Sequence, residues 1–336
     1  MNKKRIIIVC PGRGSYTRES SGYLKKYGKL ISEHVMWMDK MREREDLLSL
    51  TLLDDKPFQS KTHMTGENAS TLIFACSLSD FSFINQSKYE IVSVIGNSMG
   101  WYTSLVLGNA LSIEDGYELI HSMGSMTSGQ LIGGQIIYPV IDDEWKIDIE
   151  KQNNTIALLK EAGCFVSIKL GGYLVIGGKQ SSLDSLLNKL PKVDDYPFQI
   201  PFHSSFHTPL LNSISKRALR SISPQIFQKP SIPIIDGKGD IWSPYSTDVK
   251  KLFEYTLGQQ IYDFFNFSKA ISVGLKEFCP DNILLLGPGN SLGGVIGQIL
   301  IQNKWNGLSS KKDFIIQQKK DPFLISLGID SQRKLV

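Results

Sequence analysis

In Glu90-Ile91-Val92-Ser93-Val94-Ile95-Gly96-Asn97-Ser98-Met99-Gly100-Trp101, a run of mostly β-branched residues stops at a glycine, a serine follows, and a second glycine opens an apolar segment that reaches Leu107. A short apolar run with little alternation predicts a strand buried on both faces, and the segment after it predicts a buried helix. Gly-x-Ser-x-Gly between two such elements is the pattern of a sharp strand-to-helix turn. The small flanking residues permit strain, the serine oxygen is lifted to the tip, and the next backbone N–H faces any oxyanion formed there, assisted by the helix N-terminus. A glycine-rich turn without chemistry is the alternative, and the strand before it and helix after it favour a nucleophile at Ser98.

Outward from this turn, Arg5 to Cys10 is another buried run ending in glycines, Pro11-Gly12-Arg13-Gly14-Ser15. Asn282 to Leu286 is a third, ending in Gly287-Pro288-Gly289-Asn290-Ser291-Leu292. Helices are expected over 70–84 and from Ser112, whose spacing to Asp115 suits an N-cap, to about Met123. Strands that end in glycine turns and alternate with helices predict an α/β fold whose parallel sheet gathers ligands at its C-terminal edge. Between about 128 and 200 the pattern changes to strand 134–141, helix 153–162, strands 164–169 and 173–176, helix 181–190 and strand 198–202. That β-α-β-β-α-β order is ferredoxin-like. The expected architecture is therefore a hydrolase-like main domain (1–127 and 201–336) carrying an inserted ferredoxin-like subdomain (128–200). The stretch 307–320, rich in Ser, Lys and Gln, is the candidate for disorder.

Bulk properties narrow the function. The 336 residues are 41% hydrophobic and 21% charged, with a formal net charge of +4, too small to argue for nucleic acid. The basic N-terminus followed by Ile6 to Cys10 mimics a secretory signal, but Pro11-Gly12 ends it early, and no stretch has the roughly 18 apolar residues of a membrane span. The four cysteines, Cys10, Cys76, Cys164 and Cys279, lack metal or redox spacing and lie in or beside apolar runs. A cytoplasmic protein without membrane or nucleic-acid partners is expected. A serine needs a base, and His34, His63 and His121 sit in helical or charged contexts. His203, in Pro201-Phe202-His203-Ser204-Ser205-Phe206-His207, lies where the chain would re-enter the main domain and is the expected base; His207 reads as a pocket residue or a second base.

With these residues in hand, the chain resembles the malonyl-CoA:acyl carrier protein transacylase family, which includes the acyltransferase domains of fatty acid and polyketide synthases. Pro11 to Ser15 resembles that family's PGQGS turn, Gly96 to Gly100 its GHSxG elbow, Phe202-His203-Ser204 its histidine motif and Gly287-Pro288-Gly289 its late turn. Gln260-Ile261 falls in its QLxxPVxW segment, where a backbone carbonyl orients the histidine. The resemblance implies Ser98 as nucleophile, His203 as base, and the N–H groups of Met99 and Arg13 as oxyanion hole. It further implies acyl-CoA and the phosphopantetheine arm of acyl carrier protein as substrates, and no cofactor or metal.

Three positions depart from the family. Met123 stands where malonyl-specific members carry a carboxylate-binding arginine, and a thioether cannot pair with a carboxylate. Arg13 replaces the family's glutamine and could provide a cation from another side, while Asn97 replaces histidine before the nucleophile. A neutral acyl group, hydrolysis of the acyl-serine, and a non-enzymatic homologue are the competing expectations.

Overall fold

The computed structural model describes residues 3–336. Along the chain the strands are β1 (Lys4–Cys10), β2 (Tyr89–Gly96), β3 (Gly134–Pro139), β4 (Phe165–Leu170), β5 (Tyr173–Gly178), β6 (Phe198–Gln199), β7 (Ile234–Ile235), β8 (Ile241–Trp242), β9 (Phe265–Asn266), β10 (Asn282–Leu285) and β11 (Leu324–Ser326). They form a six-stranded sheet of order β11-β10-β1-β2-β7-β8, parallel except for β8, and a five-stranded sheet of order β6-β3-β5-β4-β9.

The apolar runs explain the first sheet. Ile6 to Cys10 are all fully buried, and their alternate side chains feed two cores. Ile6, Ile8 and Cys10 pack with the Gly66–Phe83 helix and Trp101, whereas Ile7 and Val9 pack with the Phe267–Phe278 and Gly293–Gln302 helices. A strand sandwiched in this way has no polar face to show. Strand β1 pairs with β2 as far as Cys10 opposite Gly96, so the glycine turn after β1 and the serine turn after β2 emerge side by side. The contact demands glycine: a Cβ on Gly12 would lie 2.6 Å from the Asn97 carbonyl, and one on Gly100 2.3 Å from that of Cys10.

The second sheet has the expected ferredoxin-like order, with the Ile149–Glu161 and Gln180–Lys189 helices enclosing a core that includes Tyr138, Leu159, Ile176 and Leu183. It also gains a strand that the inserted segment does not encode. Strand β9 pairs in parallel with β4, Phe265 opposite Ile168, so the sheet is completed by a main-domain residue pair.

Several local expectations need correction. The strand over 198–202 stops at Gln199, and Pro201, which has no N–H to donate, is followed by a turn. The stretch 307–320 is largely ordered as the Lys311–Lys320 helix: the Ser310 hydroxyl accepts from the Asp313 N–H, and Phe314 is buried against Trp145. Cys10, Cys76 and Cys164 are buried, but Cys279 is exposed, ending a helix in the left-handed region at φ 42°. Among the described residues no helix is long and apolar enough to cross a membrane, and no group of three or more His, Cys, Asp or Glu could hold a metal ion.

Candidate active site

The turn after β2 holds Ser98 at φ 54°, a left-handed conformation uncommon for a residue with a side chain. It is fixed on three sides. The Asn97 N–H donates to the Cys10 carbonyl (3.0 Å), the Trp101 N–H to the Ser98 carbonyl (3.0 Å), and the Gln260 side chain, through Nε2, to that same carbonyl (2.9 Å). The Met99 and Arg13 N–H groups, one on each of the paired turns, have no hydrogen-bond acceptor among the described residues. Two unengaged amides on adjacent turns are what an oxyanion hole requires.

The histidine against Ser98 is His207, not His203. Ser98 Oγ lies 2.8 Å from His207 Nε2. The segment around it is a buried turn: the Ser205 N–H donates to the Ile132 carbonyl, the Ile132 N–H to Ser204 Oγ, and the Thr208 hydroxyl to the Ser205 carbonyl. This aims His207, itself at φ 58°, at the elbow, and its own N–H donates to the Ile261 carbonyl (2.7 Å). His203, four residues earlier, turns to Gln135, its Nδ1 3.1 Å from Oε1. Gln135 Nε2 already donates to Ser167 Oγ and the Phe206 carbonyl, so Oε1 accepts and His203 carries its proton on Nδ1.

Electrostatics separate the two rings further. Burial lowers the His207 pKa from 6.5 to about 4, partly offset by the Gln260 backbone carbonyl, which favours the protonated ring. That carbonyl lies alongside rather than in a well-formed hydrogen bond, since Nδ1 has no partner meeting ordinary geometry. His203 is held well below 6.5 by burial, then by the positive charge of Arg13 and by His207. Both rings are therefore neutral near pH 7 and able to accept a proton.

Ser98, His207 and His203 share a cleft of about 480 Å³, counting its open mouth, with Arg13, Gln260, Met99 and Met123. Asn97 is not among its lining residues; buried behind the elbow, it leaves Oδ1 without a partner. Met123 is buried in the wall with Tyr102, Ile120 and Phe206 for apolar company. Arg13 donates through Nη2 to the Met64 (2.9 Å) and Phe202 (2.8 Å) carbonyls, leaves Nε unpartnered, and makes no ion pair among the described residues. Burial lowers its pKa to about 10, with Glu67 acting in the opposite direction, so it remains a cation. Gly287 of the late glycine turn lies elsewhere, its N–H 2.6 Å from the buried Asp80 carboxylate.

The six-stranded sheet with its serine elbow and the ferredoxin-like subdomain at its side define the class: an α/β-hydrolase-like fold, here with a serine and a neutral histidine at hydrogen-bond distance in its cleft. Within that class the resemblance to the malonyl-CoA:acyl carrier protein transacylase family holds in sequence and in fold. The malonyl CoA-acyl carrier protein transacylase of Bacillus subtilis (strain 168) is 21% identical over 303 residues, covering 88% of this chain and 90% of its own. The crystal structure of malonyl-CoA:acyl carrier protein transacylase from Xanthomonas oryzae pv. oryzae superposes with a TM-score of 0.75 at 18% identity, covering 99% of this chain and 98% of its own. The Synechocystis sp. PCC 6803 enzyme of the same name gives 0.77 at 14% identity, covering 99% and 100%. A malonyl-transacylase in complex with a type II polyketide synthase acyl carrier protein gives 0.74 at 15%, covering 98% and 97%. No family model matches the chain.

Proposed function

We propose that the protein is a serine acyltransferase that moves an acyl group from a CoA thioester to the phosphopantetheine thiol of an acyl carrier protein, by a ping-pong route through acyl-Ser98. The observation that carries this reading is the 2.8 Å contact between Ser98 Oγ and the neutral His207 ring, beside two free amides. His207 Nε2 takes the serine proton as Oγ attacks the thioester carbonyl; the tetrahedral oxyanion forms against the Met99 and Arg13 N–H groups. The C–S bond breaks and the leaving CoA sulfur takes the proton from His207. In the second half the carrier thiol gives its proton to His207, its sulfur attacks the acyl-serine carbonyl, and the C–O bond breaks as Ser98 recovers the proton. Each step is proton transfer and acyl exchange, so the reading calls for no metal or organic cofactor.

The relatives' names favour malonyl as the acyl group, and in this reading its free carboxylate pairs with Arg13, which lines the cleft and makes no ion pair among the described residues. Met123 and its apolar neighbours favour a second reading, a neutral acyl group. The test is intact-mass measurement of protein and holo carrier after mixing with malonyl-, acetyl- or longer acyl-CoA, for wild type and Arg13→Gln. Malonyl on Ser98 and then on the carrier, lost in Arg13→Gln by about tenfold or more as expected for a charge-assisted contact, supports the first reading. Neutral acyl transfer indifferent to Arg13 supports the second; free CoA without a loaded carrier makes the protein a thioesterase.

A further inference from the structure

The geometry points to Tyr255 as a positioning residue for the nucleophile, acting through Gln260; this rests on Ser98 being the nucleophile. Tyr255 lies on the Val249–Leu257 helix, buried between the rings of Trp101 and Trp242, and does not itself line the cleft. Its hydroxyl accepts the Gly237 N–H (3.1 Å) and donates to Gln260 Oε1 (3.3 Å). Gln260 Nε2 in turn donates to the carbonyl of Ser98 (2.9 Å).

The direction of this chain is forced. The Gly237 N–H can only donate, so it occupies a lone pair of the Tyr255 oxygen and leaves the hydroxyl proton for Gln260. A carboxamide that receives a proton at Oε1 presents its NH₂ at the other end. Rotated by half a turn, it would set its oxygen against the Ser98 carbonyl, acceptor against acceptor. Gly237 is itself immobile: its carbonyl accepts the Asn266 N–H (2.7 Å), and a Cβ on it would lie 2.2 Å from the Phe265 ring. The same Gln260 contributes its backbone carbonyl to His207, and the next residue, Ile261, accepts the His207 N–H. Tyr255 thus fixes a side chain that links the nucleophile's backbone to the segment holding its base.

Tyr255→Phe removes the hydroxyl and keeps the ring between the two tryptophans. The readout is Ser98 labelling by a fluorophosphonate, in which Oγ bonds to phosphorus, fluoride leaves and His207 takes the proton; it depends on no acyl group or carrier. The expected result is a limiting labelling rate lowered by about tenfold, the equivalent of one hydrogen bond, with probe affinity nearly unchanged and the protein still folded, its melting temperature lowered by the orphaned Gly237 N–H. Gln260→Met should be at least as slow, and the double variant no slower than Gln260→Met alone, because both remove the same link. Wild-type labelling rates in Tyr255→Phe, or losses that multiply in the double variant, overturn the inference. Wild-type protein that is not labelled at Ser98 overturns the nucleophile assignment together with it, a result separable from the other two.

Discussion

Ser98 and His207 both occupy the left-handed region of backbone space, at φ 54° and 58°. Each costs on the order of 1–3 kcal/mol against an unstrained residue, a cost that persists only where the surroundings impose it. Removing the base therefore tests chemistry, and the neighbouring histidine supplies the control. His207→Ala should lower acyl transfer by about 10²–10⁴-fold, while His203→Ala, whose ring bonds Gln135, should lose much less; stopped-flow release of CoA decides, and the reverse order of effects would return the base to His203. Because His207 titrates at about 4, the acid limb of kcat/KM should fall near that pH rather than at 6.5. The serine was legible from its flanking glycines together with the apolar strand before them and the apolar helix after them. Which histidine faces it was not, because the sequence offers a Phe-His pair followed by a hydroxyl residue twice, at Phe202-His203-Ser204 and Phe206-His207-Thr208. What separates them is that Pro209 follows the second pair and starts a helical turn, while the first lies in the turn after Pro201, whose partner Gln135 sits in a distant strand.

At the scale of elements, the cleft wall depends on two helices that approach closely enough to exclude any side chain at their contact. A Cβ on Gly66 would lie 2.1 Å from the Gly124 carbonyl, and one on Gly124 2.5 Å from that of Gly66. Arg42 fastens the same corner, donating from Nη1 to the Glu67 carbonyl (3.1 Å) and Thr71 Oγ1 (2.9 Å). Gly124→Ala must push the Gly66–Phe83 and Ile113–Ser125 helices apart and carry Met123 with them, at a cost of about 1–3 kcal/mol. Urea unfolding should show a lower midpoint at unchanged slope; an unchanged midpoint would mean that the helices separate freely. Element identities were legible where an apolar run ended at a glycine turn, as in β1 and β2, and over most of the Gly66–Phe83 helix, expected over 70–84. They failed at 307–320, where polar composition outweighed the buried anchors Leu308 and Phe314, and at β9, two residues long, whose strand character exists only through pairing with β4.

For the whole molecule, two buried histidines with lowered pKa values make folding sensitive to acid. Unfolded, His207 returns to 6.5; folded, it titrates at about 4. Between these values the unfolded chain binds a proton that the folded protein refuses, so this contribution to stability is complete above pH 6.5 and is lost as pH falls toward 4. His203, shifted in the same direction, adds to the slope. Unfolding free energies from denaturant titrations at pH 8 to 4 should be flat above about 6.5, and these two groups should then lower them by up to about 1.4 kcal/mol per pH unit for each histidine. His207→Ala and His203→Ala should each flatten part of that decline, and a decline unchanged in both would place its origin elsewhere.

The two-residue strand β9 has a consequence for cutting the molecule apart. It closes one side of a sheet whose other four strands come from the insert, and it begins four residues after Ile261, whose carbonyl accepts the His207 N–H. A fragment ending near residue 200 would carry β4 with one row of backbone N–H and C=O groups open to any passing strand, and with Ile168 and Leu170 stripped of their partners in the main core. Expressed alone, such a fragment would be prone to self-association. The insert is therefore a lobe whose seam is stitched by the chain that follows it, and the natural unit for recombination or fusion is the entire two-lobed molecule.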